Sequence, residues 1–134
     1  MQRTFTALMV AAMTALVAQP TAAHHSFAAE FDANSPIELT GTVTKVEWAN
    51  PHTFFYIDVT NAKGEVENWA LEMGSPNGLM RRGWTRDSMK IGDVVTVTGS
   101  RAKNGSTLGN ARSVTLSTGI QLFAGPSQEN AEAN

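Results

Sequence analysis

An alternation of apolar and polar residues between positions 37 and 60 is the feature that most restricts the fold of this chain. The segment IELTGTVTKVEW occupies residues 37–48 and is rich in valine and threonine, and TFFYIDVT occupies residues 53–60. In the second segment Phe55, Ile57 and Val59 fall on one side of an extended chain. This pattern has the period of two that is typical of strands, so it predicts two strands, the second buried on one face.

The rest of the chain adds further strands and one helix. EVENWALEM (residues 65–73), VVTVTG (94–99) and NARSVTL (110–116) predict a third, fourth and fifth strand, and IQLF (120–123) predicts a short sixth. After the third strand, Ser75 can cap a helix whose first residue is Pro76, and Gly83 can close the turn behind it.

Three strands, a short helix and two or three more strands is the order found in OB folds. We therefore predict an all-β chain: a small five- to six-stranded OB-like Greek-key barrel with one short helix between strands 3 and 4. An open sandwich of similar strand content is the main alternative. The position of the helix favours the barrel.

The first 23 residues have the features of a secretory signal peptide. A basic residue, Arg3, precedes an apolar run over residues 7–18, and small residues follow up to Ala23. The run is shorter than the roughly 20 apolar residues that span a bilayer, so no membrane span is expected. We predict export to the periplasm or secretion, with cleavage after Ala23, which makes His24 the first residue. Cleavage after Ala22 or Ala28 is an alternative.

Composition limits what the exported part can do. Residues 24–124 suffice for one β-barrel domain, and the polar, aperiodic residues 125–134 predict a disordered tail. Loss of Arg3 changes the formal charge from -2 to -3, which gives no electrostatic reason to bind nucleic acid. Without cysteine there is no thiolate catalysis, and phosphate-loop, nucleophile-elbow and His-Glu-x-x-His motifs do not occur. A binding module is therefore favoured over an enzyme.

Five stretches carry a resemblance to a known family. They are AHHSFAAEFD, LTGTVTKVEWANPH, NWALEMGSPNGLMRRGWTRDS, GDVVTVTGSRAKNGS and NARSVTL, and together they cover nearly all of the predicted mature chain. In these stretches the sequence resembles an uncharacterised family of small exported bacterial proteins, classified as a domain of unknown function. The resemblance implies a secreted β-barrel module and assigns no activity and no catalytic residue.

The position of the histidines points to a metal. If His24 is the first residue, its α-amine and its Nδ1 can chelate one ion, and a further imidazole completes the three-nitrogen set called a histidine brace. Nitrogen ligands in a plane suit Cu(II) among the common divalent ions. His52 is the candidate third ligand and His25 the competing donor, while Glu30 and Asp32 are candidates to orient an imidazole. Adventitious copper binding at the terminus is the opposing interpretation.

A second group of residues supports a different function. Arg81, Arg82, Trp84 and Arg86 follow the predicted helix, and clustered guanidinium groups beside an aromatic face can bind an anion. The alternative prediction is therefore a metal-free module that recognises a partner protein or a small anionic ligand through this region. Trp84 as a plug at the bottom of the barrel is the opposing interpretation for that side chain.

Overall fold

The computed structural model describes residues 27–125, which form six strands and two short helices. The elements are α1 (Phe27–Glu30), β1 (Phe31–Glu47), β2 (Phe54–Thr60), β3 (Val66–Glu72), α2 (Pro76–Met80), β4 (Val94–Ala102), β5 (Leu108–Thr115) and β6 (Gln121–Phe123). The predicted signal peptide, His24, His25 and residues 126–134 lie outside the described part. Within residues 27–125, none of the helices has the length and apolar character needed to cross a membrane.

The strands close into a barrel. Their order is β3-β2-β1-β4-β5-β6, with an additional parallel pairing between β3 and β5 that joins the two sides of the sheet. The other neighbours pair antiparallel, and the long β1 pairs with both β2 and β4. This is the Greek-key connectivity of an OB fold. The fold-class prediction is confirmed, and the parallel closure distinguishes the barrel from an open sandwich.

The alternation in β2 and β3 decides which side chains enter the core. Phe55 and Ile57 of β2 are fully buried, as are Trp69 and Leu71 of β3 to within a few per cent. These side chains pack with valines of β1, β4 and β5 in one cluster. Phe54 and Tyr56 lie half-buried on the opposite, outer face of the sheet. The outer face of β2 and β3 is therefore the surface from which the candidate site is built.

Glycine allows β4 and β5 to approach where the barrel bends. Gly99 lies at an irregularity of the β4–β5 register, and a Cβ there would stand 1.9 Å from the carbonyl oxygen of Asn110. No side chain can be accommodated at that distance, so any other residue would force the two backbones apart.

The helix between β3 and β4 is confirmed in detail. Pro76 is the first residue of α2, and the Ser75 hydroxyl accepts a hydrogen bond from the Gly78 N–H at 3.2 Å. Gly83 follows the helix with a φ of 96°, in the left-handed region that glycine favours.

The beginning of the domain differs from the prediction. β1 starts at Phe31 rather than Ile37, and the helix α1, which precedes it, was not predicted. Phe31 pairs with Ala102 and Asp32 with Arg101, after which the register shifts before pairing resumes at Pro36. Residues 32–36 show no alternation, so only the tertiary pairing with β4 reveals this part of the strand.

Candidate functional site

His52 lies in the loop between β1 and β2, and the end of β2 holds it in place. The neighbouring Thr53 is fully buried, and its N–H donates to the carbonyl of Gly74 at 3.0 Å. In return, the Met73 N–H donates to the carbonyl of Thr53 at 2.8 Å. These two bonds extend the β2–β3 ladder by one residue pair. The backbone at His52 is therefore fixed beside the end of β3, while its imidazole stays 35% exposed.

Glu72 is the side chain that this arrangement brings to the imidazole. It is the last residue of β3, where it pairs with Phe54 of β2 and with Asn110 of β5. Its carboxylate oxygen Oε1 is in direct contact with Nδ1 of His52, and the Glu72 side chain is only 10% exposed. The contact fixes the plane of the ring, as a carboxylate partner does for metal-binding histidines.

The amino-terminal segment forms the opposite wall of a cleft around this pair. The cleft has a volume of about 640 Å³. It is lined by Ala29, Glu30, Ala49, Asn50, Pro51, His52, Phe54 and Glu72. It therefore lies between the loop that joins β1 to β2 and the segment that leads into β1.

Several contacts anchor the wall formed by the amino-terminal segment. The ring of Phe27 stacks on the buried ring of Phe31, with centroids 5.7 Å apart. The Lys103 N–H donates to the carbonyl of Glu30 at 2.9 Å, and the Lys103 Nζ donates to the carbonyl of Ala28. Lys103 belongs to the loop between β4 and β5, and the loop between β1 and β2 lines the other side of the cleft. In OB folds these two loops flank the ligand face.

A buried carboxyl, that of Glu72, dominates the electrostatics of the cleft. Burial, and to a lesser extent the charge of Glu30, raises the pKa of the Glu72 carboxyl from its ordinary 4.5 to about 7. Among the residues that the structure describes, those lining the cleft include no lysine or arginine. The two acidic residues of this lining, Glu30 and Glu72, therefore have no lysine or arginine beside them in the cleft.

The described residues alone supply an incomplete set of metal ligands. Within residues 27–125, no three His, Cys, Asp or Glu side chains are grouped so that they could hold a metal ion. His52 provides one imidazole, and Glu30 and Glu72 provide carboxylates at the same cleft. Asp32 does not line the cleft, and its carboxylate accepts a hydrogen bond from the Asn34 N–H at 2.9 Å. A metal here needs further donors from outside the described part.

Beyond the cleft, polar side chains on the outer face of the sheet form hydrogen bonds with one another. Asn68 donates from Nδ2 to Asp58 at 2.8 Å and to the Thr44 hydroxyl at 3.2 Å. The Tyr56 hydroxyl donates to the Glu47 carboxylate at 3.1 Å, and hydrogen bonds from Lys45 and then from Tyr56 hold the pKa of Glu47 below its usual value. These polar groups already satisfy one another, so the face offers fewer binding groups than the cleft.

The arginine region lies elsewhere on the barrel and serves the packing of the chain end. Trp84 is 2% exposed, and its Nε1 donates to the carbonyl of Phe123 at 2.9 Å. Arg82 stacks over the ring of Phe123 at 4.4 Å and donates to the carbonyl of Gly125. Arg86 lies 5.8 Å from the ring centre of Trp48, and Arg81 is exposed. The four residues do not form one face, and the Trp84 ring belongs to the core.

The comparison with known proteins agrees with the resemblance to a family of unknown function. The profile described as "Family of unknown function (DUF6152)" matches residues 12–111, which is most of the chain. The chain belongs to the DUF6152 family. No curated protein matches it.

In this DUF6152 protein, the sequence led to His52 but not to its partner. Glu72 lies on the polar side of the alternation in β3, a position that normally faces solvent. It is buried where β3 pairs with both β2 and β5 and its carboxylate touches His52, and these long-range contacts have no sequence signal. Glu30 was expected near an imidazole and does line the same cleft, whereas Asp32 was expected there and does not.

Proposed function

We propose that this protein is an exported copper-binding module in which His52 and an amino-terminal His24 bind the same ion. One observation carries the proposal: the imidazole of His52, oriented by Glu72, faces a cleft whose other wall is the segment that follows His24.

The length of the connecting chain supports this pairing. Ala29 lines the cleft, and Phe27, the first described residue, stands three positions after His24. An extended chain advances at most ~3.6 Å per residue, so these three steps span up to about 11 Å. A terminal His24 therefore stays within that distance of Phe27, in the segment that leads into the wall of the cleft.

The donor chemistry favours copper. A terminal histidine offers its α-amine and Nδ1, and His52 adds an imidazole whose Nδ1 side is occupied by Glu72, so that Nε2 is the nitrogen presented to the metal. Three nitrogens in a plane suit Cu(II). The amine loses its proton readily to a metal at neutral pH because its unperturbed pKa is about 7.7–8.0. His25 is the competing donor from the same terminus.

The arginine region gives less support to the alternative function. An anion site there would need the exposed aromatic face of Trp84 beside free guanidinium groups, but Trp84 is buried and Arg82 holds the end of the described chain. Arg81 and Arg86 are the members still exposed to a partner.

Copper titration of a protein that begins at His24 tests the proposal. We expect one tightly bound Cu(II) per chain, and His52→Ala should weaken it by at least ~100-fold, since even outer partners of ligands are worth 10–100-fold. Arg82→Ala is the matched control, because it removes a side chain outside the cleft and should leave the affinity unchanged. Equal affinities of wild type and His52→Ala would mean that the terminus alone holds the metal, which contradicts the proposal.

A further inference from the structure

The chain between β3 and β4 covers one end of the barrel. Residues 76–93, called here the α2 connection, reach from β6 to β1: the Trp84 Nε1 donates to the carbonyl of Phe123, and the Gly92 N–H donates to the carbonyl of Val43 at 2.8 Å. Three side chains of the connection are buried in the core cluster: Leu79, Trp84 and Met89. The exposed side chains that stand between them therefore point away from this end of the barrel.

Large apolar side chains are exposed on the α2 connection. Within the described part of the chain, five large hydrophobic residues are more than half exposed. Two of them, Met80 at 51% and Ile91 at 73%, belong to the connection, and Val94, at 53%, follows it directly. Covering such side chains with an apolar phase is favourable, and the fold itself leaves them uncovered.

The α2 connection is also the positively charged part of an acidic domain. It has four basic and two acidic residues, which gives a formal charge of +2, whereas the rest of residues 27–125 has five basic and eight acidic residues, or -3. One basic side chain, that of Arg82, donates to the carbonyl of Gly125. The other three are exposed and form no ion pair with any described carboxylate: Arg81, Arg86 and Lys90. Their charge is therefore available to an anionic surface.

The arrangement of these side chains suits a lipid surface better than a protein partner. Protein interfaces are built around well-packed aromatic anchors and are depleted in lysine. The aromatic residue of the connection, Trp84, is only 2% exposed, and cationic and apolar side chains are interspersed along the segment. A bilayer that contains anionic phospholipid needs no complementary shape, because its headgroups attract each nearby lysine or arginine and the layer below them accepts apolar side chains.

We propose that the α2 connection docks the protein reversibly on the surface of a membrane that contains anionic phospholipid. Arg81, Arg86 and Lys90 contact the headgroup phosphates. Met80 and Ile91 enter the boundary between the headgroups and the acyl chains. The docking surface uses no residue of the cleft, so it does not depend on the proposed metal site.

Co-sedimentation with lipid vesicles tests this inference. The protein that begins at His24 is used, since the apolar run of residues 7–18 would itself bind lipid. Vesicles of phosphatidylcholine alone are compared with vesicles of equal parts phosphatidylcholine and phosphatidylglycerol. We expect the protein to bind the mixed vesicles much more strongly, and this binding to weaken as the salt concentration rises, because salt screens the attraction between exposed charges.

Two variants separate the contributions of charge and apolar contact. Arg81→Gln combined with Lys90→Gln should weaken binding to the mixed vesicles about 25-fold, since each cation near an anionic surface contributes roughly fivefold. Ile91→Asn should weaken it at least ~10-fold through the loss of apolar burial. The matched control, Lys63→Gln combined with Val66→Asn, removes an exposed cation and an exposed apolar side chain from the hairpin between β2 and β3, at the opposite end of β3 from α2, and should change nothing.

Thermal unfolding at the wild-type temperature establishes that each variant is folded. Equal binding of wild type to the two kinds of vesicle would overturn the inference, as would an equal loss of binding in the control and in the variants of the α2 connection. Binding to neither kind of vesicle would also overturn it, and an acidic protein surface would then be the better partner for this end of the barrel.

Discussion

Replacing Glu72 by glutamine should make the metal-free protein more stable at alkaline pH. Burial beside the cleft raises the pKa of this carboxyl to about 7, whereas in the unfolded chain it titrates near its ordinary 4.5. Between these values the folded state holds a proton that the unfolded state has lost. The free energy of unfolding of the wild type should therefore fall as pH rises from about 4.5 to 7, and level off above that.

The magnitude follows from the size of the pKa shift. Each unit corresponds to about 1.4 kcal/mol, which gives ~3 kcal/mol for a fully enclosed carboxyl. Glu72 borders an open cleft and touches the imidazole of His52. Solvent and this neighbour stabilise the ionised carboxylate, so the expected effect on the free energy of unfolding falls to ~1–2 kcal/mol. Glutamine at this position keeps a hydrogen-bond acceptor and carries no charge at any pH. The free energy of unfolding of Glu72→Gln should therefore lack this pH-dependent contribution.

Urea unfolding in the presence of EDTA, followed by the fluorescence of Trp48, Trp69 and Trp84, measures the difference at pH 5 and pH 8. We expect Glu72→Gln to gain ~1–2 kcal/mol relative to wild type between these two values, and Glu38→Gln, at an exposed position of β1 outside the cleft, to gain nothing. A change of the opposite sign would refute the reasoning. It would mean that a protonated His52 keeps Glu72 ionised and holds the pKa of Glu72 below its usual value.

Three other substitutions test the fold by thermal and urea unfolding. Gly99→Ala places a Cβ against the carbonyl of Asn110 and should cost ~3 kcal/mol, against about 1 kcal/mol for Gly105→Ala, where φ is positive but a Cβ would meet no atom within 4 Å; equal costs would contradict the close approach. Trp84→Phe leaves the carbonyl of Phe123 without its donor and should cost about 1–3 kcal/mol, and a neutral result would argue against that bond. Ser75→Ala removes the cap of α2 and should cost ~1 kcal/mol, whereas no loss would mean that the cap is dispensable.

Local patterns were sufficient for the sheet and for the helix α2. The alternation of Phe55, Ile57 and Val59 assigns one face of β2 to the core because a strand has a period of two, and all three are buried. Ser75 and Pro76 mark the start of α2 because their preferences act within one helical turn.

Features that depend on distant parts of the chain could not be predicted in the same way. The first residues of β1 are extended because they pair with the end of β4, and α1 is too short for its own sequence to specify it. The burial of Glu72 depends on the pairing of β3 with both β2 and β5 and on the contact with His52. The candidate site therefore became visible as one histidine in the sequence and as a histidine–carboxylate pair only in the folded barrel.

The amino end of the chain provides the most direct test of the copper site. Isothermal titration with Cu(II) should compare the protein that begins at His24 with the same protein acetylated at its α-amine. Acetylation leaves every described residue unchanged and converts the α-amine of His24 into an amide, which no longer supplies the amine ligand. We predict tight binding of one ion that is lost on acetylation. Equal affinity in the two proteins would contradict the histidine brace.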